Sequence, residues 1–290
     1  MREWGPEQVQ DLAALVAAAA PDEDLSADEL LAACFERAGV VLAAPGGVGA
    51  VAVGVEPGGA EGAVAVVRVL AVHPSARRRG VGSMLLAAAE EWAVAADATR
   101  VTLGGVGPFS IWAGPEEGSD VASLAGASGF AIDARERGAT VAAAFRSAPP
   151  EAVAVRRAVS DQDAAAVVAA VSRIWPGWAG EVDRALEHGT CHVATDAASS
   201  EVGEHDVLGL GCHSVARAGW IGPLGVRPDR RRAGIGHALL GQVCRDLMIA
   251  EIPAAVVPTV SSPEAHRFLQ AAGAEPGPTL ERWVKRLGPR

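Results

Sequence analysis

The chain of 290 residues contains no tyrosine, and its aromatic residues make up only 4% of the total. Any chemistry that relies on a phenolic proton donor is therefore closed to it. Lysine is almost as scarce: Lys285 is the only one, so nearly every basic residue is arginine. Positive charge is short overall. The net charge is −10, with nearly all of the excess before residue 150, and a chain of this kind lacks the electrostatic footprint of a nucleic-acid or anionic-membrane binder. The four cysteines (Cys34, Cys191, Cys212, Cys244) show no CxxC spacing, and no charged, apolar, cleavage-like leader opens the chain. A reduced, cytoplasmic protein is expected. Runs such as "LAALVAAAA" are too short and too interrupted by charge to span a bilayer.

What is present is a repeat. The length favours two domains, and "LAVHPSARRRGVGSMLL" (Leu70 to Leu86) lies without a gap over "LGVRPDRRRAGIGHALL" (Leu224 to Leu240), 154 residues later. Leucine, valine, proline, the arginine run, both glycines and the closing Leu-Leu coincide. Self-similarity of this length implies two copies of one fold. The Pro-Pro of "FRSAPPEAV" reads as a linker, placing the domains at 1–148 and 149–290.

The local patterns agree between the halves. In the first, Val9, Leu12, Ala13 and Val16 keep the spacing of an amphipathic helix, and Ser26-x-x-Glu29 is a capping box for a second helix. Strand patterns follow at "GVVLAA", "VGAVAVGVE" and "GAVAVVRVLAV", then a helix after Gly82 and a strand at "RVTLGGV". The second half repeats the order, with strand "AVAVRRAV", a helix from Ser160, a short helix "GWAGEVDRALEHG", strands "TCHVATD", "DVLGLGCHSVAR" and "GWIGPLGV", the motif helix and "AAVVPTV". Each half is a mixed α/β domain.

The repeated segment sits where a strand turns through a glycine-rich loop into a helix. Backbone N–H groups at such a helix N-terminus converge on an anion. Glycine at 80 and 82 lets a phosphate approach closely, and arginine adds permanently charged planar donors. The P-loop signature fails because no lysine follows the glycine, and the dinucleotide fingerprint fails because Leu85 and Leu239 stand at its third glycine. The pattern that remains, V-x-P-x-x-R-x-x-G-x-G, occurs as Val72, Pro74, Arg77, Gly80, Gly82 and again as Val226, Pro228, Arg231, Gly234, Gly236.

This pattern closely resembles the acetyl-CoA pyrophosphate loop of the GNAT superfamily of N-acetyltransferases, and the flanking order of elements is GNAT-like over most of each half. The resemblance implies an α+β type of α/β fold: two tandem domains, each a mixed, mainly antiparallel twisted sheet flanked by helices. It implies acetyl-CoA as cosubstrate. Its pyrophosphate would lie on Arg77, Arg78, Arg79, Gly80, Val81 and Gly82, and on Arg231, Arg232, Ala233, Gly234, Ile235 and Gly236. The pantetheine arm would meet backbone groups of Leu70 and Val72, or Leu224 and Val226. The implied reaction is transfer of acetyl to the amine of a small molecule, without a metal, by a monomer or homodimer.

The chain departs from the family at the proton donor. The usual tyrosine would fall at Ala125 or Leu269, so water, serine or cysteine protonates the sulfur, or one or both halves do not catalyse. The first half offers little as a base, because His73 lies past its strand. In the second, His213 on "GLGCHSV" is the candidate, to be weighed against a hydrogen-bonded structural histidine; Glu204 and Asp206 are weaker. The second domain is thus the expected catalytic half. Cys191-His192 and Cys212-His213 suggest a metal, but adjacent strand residues face opposite sides, which leaves two ligands per face where zinc uses three or four. Cys212 reads as an acyl-carrying nucleophile or a packing residue. Trp175 and Trp178 either line the acceptor pocket or pack the core. Pro223 should mark the unpaired side of its strand, and the loop "GGVGPFSIWAGPEEG" reaches over the cleft. Two other readings stand beside the enzyme: a non-catalytic acetyl-CoA-binding regulator or scaffold, and an acetyltransferase similar to mycothiol synthase.

Overall fold

The structure, a computed structural model, describes residues 1–36, 38–58, 61–105, 109–198 and 203–288. Its first part runs β1 (Arg2–Trp4), α1 (Val9–Ala19), α2 (Ala27–Cys34), β2 (Gly39–Ala43), β3 (Gly49–Glu56), β4 (Val64–Val72), α3 (Val81–Ala95), β5 (Arg100–Leu103), α4 (Asp120–Ala127) and β6 (Ala131–Ala142). It continues with β7 (Val153–Arg157), α5 (Asp161–Ile174), α6 (Ala179–Glu187), β8 (Cys191–Asp196), β9 (Val207–His213) and β10 (Ile221–Val226). The last elements are α7 (Ile235–Ile249), β11 (Ala254–Val260), α8 (Pro263–Ala271) and β12 (Glu275–Arg286). Among the described residues no helix is long and apolar enough to cross a membrane.

Local chemistry explains the helix starts. Ser26 accepts from the Glu29 amide while the Glu29 carboxylate takes the Ser26 amide at 2.8 Å, the reciprocal box expected from sequence. Ser119, Ser160 and Ser262 cap α4, α5 and α8 in the same one-sided way.

The chain forms two compact units, Met1–Glu136 with Pro278–Arg290, and Arg137–Gly277. In the first, the sheet order is β1-β2-β3-β4-β5-β12-β6. Its pairings are antiparallel along β1 to β4 and between β12 and β5, and parallel between β4 and β5. Helix α3 packs on this sheet through Leu85, Leu86 and Ala89, which join Val51, Val67, Leu103 and Trp283 in one core. In the second unit, β7-β8-β9-β10 form an antiparallel sheet, and residues 137–142 of β6 pair antiparallel with β11. One core there lies under α5 and α6, around Val167, Val182 and Leu210. Another lies on α7, around Leu240, Val243 and Leu247.

The expected cut at 148 therefore differs from the observed division. The two long closing strands, β6 and β12, were not read from the sequence, and each begins in one unit and ends in the other. Trp283, Val284 and Lys285 pair with Leu103, Thr102 and Val101, so the end of the chain completes the first unit's sheet. Ala142, Val141 and Thr140 pair with Ala254, Ala255 and Val256 in the second. Nor is the stretch around Pro149 a free linker. Arg146 donates to the carbonyls of Ala143 and Phe145, and a Cβ on Gly241 of α7 would stand 2.9 Å from the Ser147 amide nitrogen.

Candidate active site

The two arginine loops have the same geometry, residue for residue. Arg77 donates its Nε–H to the Val72 carbonyl at 3.2 Å, and Arg231 to the Val226 carbonyl at 3.3 Å. Arg78 and Arg232 both have left-handed backbone (φ 60° and 66°), as do Gly80 and Gly234 (φ 80° and 82°). Arg77 and Arg231 thus brace the turn. Arg77 also donates to the Ala19 carbonyl at the end of α1, at 2.5 Å. Arg78, Arg79 and Arg232 are exposed.

Gly80 and Gly234 are the N-caps of α3 and α7, and neither helix has a side-chain cap, in contrast to the serine-capped helices. Their first-turn N–H groups are left to an outside acceptor, which is what an anion site requires. A Cβ at Gly80 would meet nothing within 4 Å, so the approach is open. Gly82 and Gly236 also meet a need beyond the one expected. A Cβ at Gly82 would lie 2.7 Å from Leu124 Cδ2, and one at Gly236 3.1 Å from Phe268 Cε2. These glycines let the following helix close against the motif helix.

The strand before the loop is unpaired on one side. The β4–β5 ladder ends at Val67↔Leu103, with the Gly104 amide donating to the Val67 carbonyl at 3.0 Å. The register with β3 slips at this point, Ala52 facing Val69 and Val53 facing Val67, so Arg68 is the bulged residue. In the second unit the equivalent slip falls at Gly222–Pro223, between the pairs Ile221↔His213 and Leu224↔Gly211. There Trp220, just before β10, forms an isolated parallel bridge with Val256 of β11. Pro223 accordingly stands where its missing donor costs no ladder bond.

In the first unit this splay opens into a cavity of about 650 Å³. It is lined by the end of α1 (Val16, Ala19), Glu23 and Leu25, residues 68–72 of β4, Arg77, Arg78 and Gly80 to Ser83 of the loop, Ile111 and Trp112, and the start of α4; Arg79 is not in the lining. Leu70, Val72, Arg77, Arg78, Gly80, Val81 and Gly82 all lie in this lining. The side chains of Leu70 and Val72 pack on the core, which leaves the strand's backbone to the cavity. Of the long loop 104–118, Ile111 and Trp112 face the cavity as expected, while residues 106–108 lie outside the described residues. Ala125, where the resemblance would place a tyrosine, is fully buried in the core, as is Leu269 in the second unit at 5% exposure. Besides Arg77 and Arg78, the polar residues that line the cavity include Glu23, Arg68, Ser83, Ser119 and Asp120.

The matching face of the second unit is occupied by aromatic rings. Trp175 and Trp178 stack with centroids 5.4 Å apart and planes 16° from parallel. Gly225, the repeat partner of the cavity-lining Ala71, would place a Cβ 2.6 Å from Trp178 and 3.4 Å from Trp175. The tryptophans thus press directly on the β10 backbone.

His213 is buried, and its Nε2 lies 3.3 Å from Asp246 Oδ2 and its Nδ1 3.1 Å from Ser214 Oγ. His192 Nε2 lies 2.8 Å from the same carboxylate oxygen, which also accepts from Arg157 at 2.5 Å. Burial pushes both imidazoles below their ordinary range against the pull of Asp246. Burial would raise Asp246, but the bonds from His192 and Arg157 hold its carboxyl below the usual range. The two-per-face limit on metal ligands is corrected here: α7 supplies a third, and the ligand atoms of His192, His213 and Asp246 lie within 4.8 Å of one another. These contacts are those of a hydrogen-bonded structural histidine. On the opposite face Cys191 and Cys212 are paired and fully buried, and the Cys191 thiol, then burial, pushes Cys212 far up, away from a thiolate nucleophile. Glu204 is engaged by Arg173 and His205. His73 caps its own turn through Ser75.

Residues 10–109 match the acetyltransferase (GNAT) family, and no curated protein matches the chain. Among solved structures, the glucosamine N-acetyltransferase region of a fungal multi-domain β-N-acetylglucosaminidase is similar over 98% of this chain (TM-score 0.77, 17% identity); this chain spans 38% of that one. A tandem GNAT protein from the clavulanic acid biosynthesis pathway aligns over 99% of this chain and 98% of its own (TM-score 0.74, 20% identity). A GCN5-related N-acetyltransferase from Sphaerobacter thermophilus aligns over 99% and 95% (TM-score 0.67, 20% identity). The family match covers residues 10–109, and the fold of the whole chain is that of two tandem GNAT-like domains.

Proposed function

We propose that the protein is an acetyl-CoA-dependent N-acetyltransferase acting on the amine of a small molecule, and that its first unit holds the donor. The observation that carries this reading is the cavity of about 650 Å³ that runs from the uncapped N-terminus of α3 along the unpaired edge of β4. A pyrophosphate suits the first-turn N–H groups beside Arg78, and a pantetheine arm suits the backbone of residues 69–71 on the edge away from β3. A main-chain N–H there polarises a thioester carbonyl, a contribution of about 10²–10³ in rate. Protons leave the amine and reach the sulfur through water or through Glu23, Ser83 or Asp120, the lining groups able to carry them.

This assignment reverses the one that the histidines suggested. His213 is held in a buried network with Asp246, and Trp175 and Trp178 cover the strand that would receive the pantetheine. We read the second unit as the non-catalytic half, which keeps the loop while two tryptophans lie against its strand at Gly225.

The test is calorimetric titration with acetyl-CoA, followed by turnover on a panel of amines. Gly80→Glu puts a carboxylate in the anion site and should abolish binding, whereas Gly234→Glu should leave it. Binding lost only in Gly234→Glu overturns the assignment. Binding without turnover on any amine favours a regulatory acetyl-CoA binder, the reading that the absence of tyrosine supports.

A further inference from the structure

At the far end of the cavity from the arginine loop stands Arg68. It lies four positions before Val72, about 13 Å at the rise of a strand, so a donor anchored by its pyrophosphate brings its acyl end there. Arg68 is 3% exposed and lines the cavity. Gly54 of β3 makes room for it, since a Cβ there would lie 2.5 Å from the guanidinium carbon, and the Phe109 ring lies 5.7 Å from that carbon on centroid.

The group is incompletely satisfied. Nη1 donates to the Ala33 carbonyl at 2.7 Å, Nη2 reaches Glu56 only at 3.4 Å, and Nε is buried with no partner among the described residues. Burial also pushes the Glu56 carboxyl up, which weakens it as a counter-charge. A buried, permanently charged guanidinium is costly unless paired and hydrogen-bonded. Its flat fork matches a carboxylate, and the unpartnered Nε–H is a vacant tooth of that fork.

We propose that Arg68 is a carboxylate-recognising residue at the acyl end of the first unit's cleft, so that one reactant carries a carboxylate near the reacting centre. The carboxylate belongs either to an amino-acid acceptor or to the acyl group of a dicarboxylic acyl-CoA. The proposal rests on the reading of that cleft as the donor site.

The test uses matched pairs on the full-length protein. In one arm acetyl-CoA is compared with succinyl-CoA. In the other, CoA-loaded protein is titrated with N-acetyl derivatives of small, acidic, basic, aliphatic and aromatic amino acids and with their neutral amides. In one arm the carboxylate-bearing member should bind about tenfold or more tightly than its mate, a difference of about 1.4 kcal/mol. Which arm responds identifies the source. The preference should vanish in Arg68→Met. Because that change strands Glu56, the double variant Arg68→Met/Glu56→Gln is measured beside it, with a urea melt of each. Equal affinity of both members in every pair overturns the proposal alone; a protein that binds no acyl-CoA overturns the reading beneath it as well.

Discussion

Arg77 and Arg231, 154 residues apart, make the same bond: each donates its Nε–H to the carbonyl five residues earlier, Val72 at 3.2 Å and Val226 at 3.3 Å. The most strongly patterned arginine of the motif thus holds the turn, and its neighbours face the solvent. Only Arg77 has a second anchor, on the Ala19 carbonyl that borders the cavity. Arg77→Ala should therefore weaken acetyl-CoA binding about tenfold by loosening the loop, while Arg231→Ala should leave it unchanged. Calorimetric titration of both variants decides the matter; equal losses would mean that both loops hold donor.

Removing the ring that covers β10 should open a second cleft. In Trp178→Ala the strand face at Gly225 is uncovered while the loop of the second unit stays intact. The stoichiometry of acetyl-CoA binding should then rise from one per chain toward two. An unchanged stoichiometry would show that the loop of the second unit is not competent even when exposed.

Stability should fall with acid in a defined window. His192 and His213 are buried with native pKa values below their unfolded value near 6.5. Below that value the unfolded chain takes up protons that the native state refuses, so stability is lost as pH falls from about 6.5 toward the lowered native values. The slope approaches ~1.4 kcal/mol per pH unit for each imidazole. Asp246, lowered below 3.8, adds a further loss at lower pH, as it becomes protonated in the native state. Urea melts across this range measure the slope, and a flat profile between about pH 7 and 5.5 would contradict it.

Trp283 lies near the end of the chain, yet it is 9% exposed in the first unit's core, with its indole N–H on Glu281 at 3.0 Å. Trp283→Ala should cost about 3–5 kcal/mol and should weaken acetyl-CoA binding by the first unit. Chemical denaturation and titration of the same sample test both parts.

The loops were legible because their requirements are local. Valine, proline, arginine and two glycines within eleven positions specify a strand end, a turn and a helix start whatever surrounds them, and both copies fold alike. The helix starts at Ser26 and Ser160 were legible for the same reason. The division of the chain was not, because the pairing of residues 283–286 with 100–103 is a long-range register choice that no pattern within either segment announces. Arg68 was hidden by its setting, a single charge inside "VAVVRVLAV". The signal that could have found it was the oddity of an arginine in an otherwise apolar strand. Strand parity limited two neighbouring strands to two ligands per face, but Asp246 comes from α7, and which turn of a helix crosses a given strand pair is fixed by packing.

The exchange of closing strands makes distance along the chain a poor guide to what a lesion damages. A protease that trims the last dozen residues, or a premature stop codon near the end of the reading frame, removes the strand beside β5 and strikes the domain whose other residues were synthesised first. Until residues 283–286 have been made, the edge of β5 that they cover stays open. Each half of the chain thus supplies a strand segment to the unit formed mostly by the other.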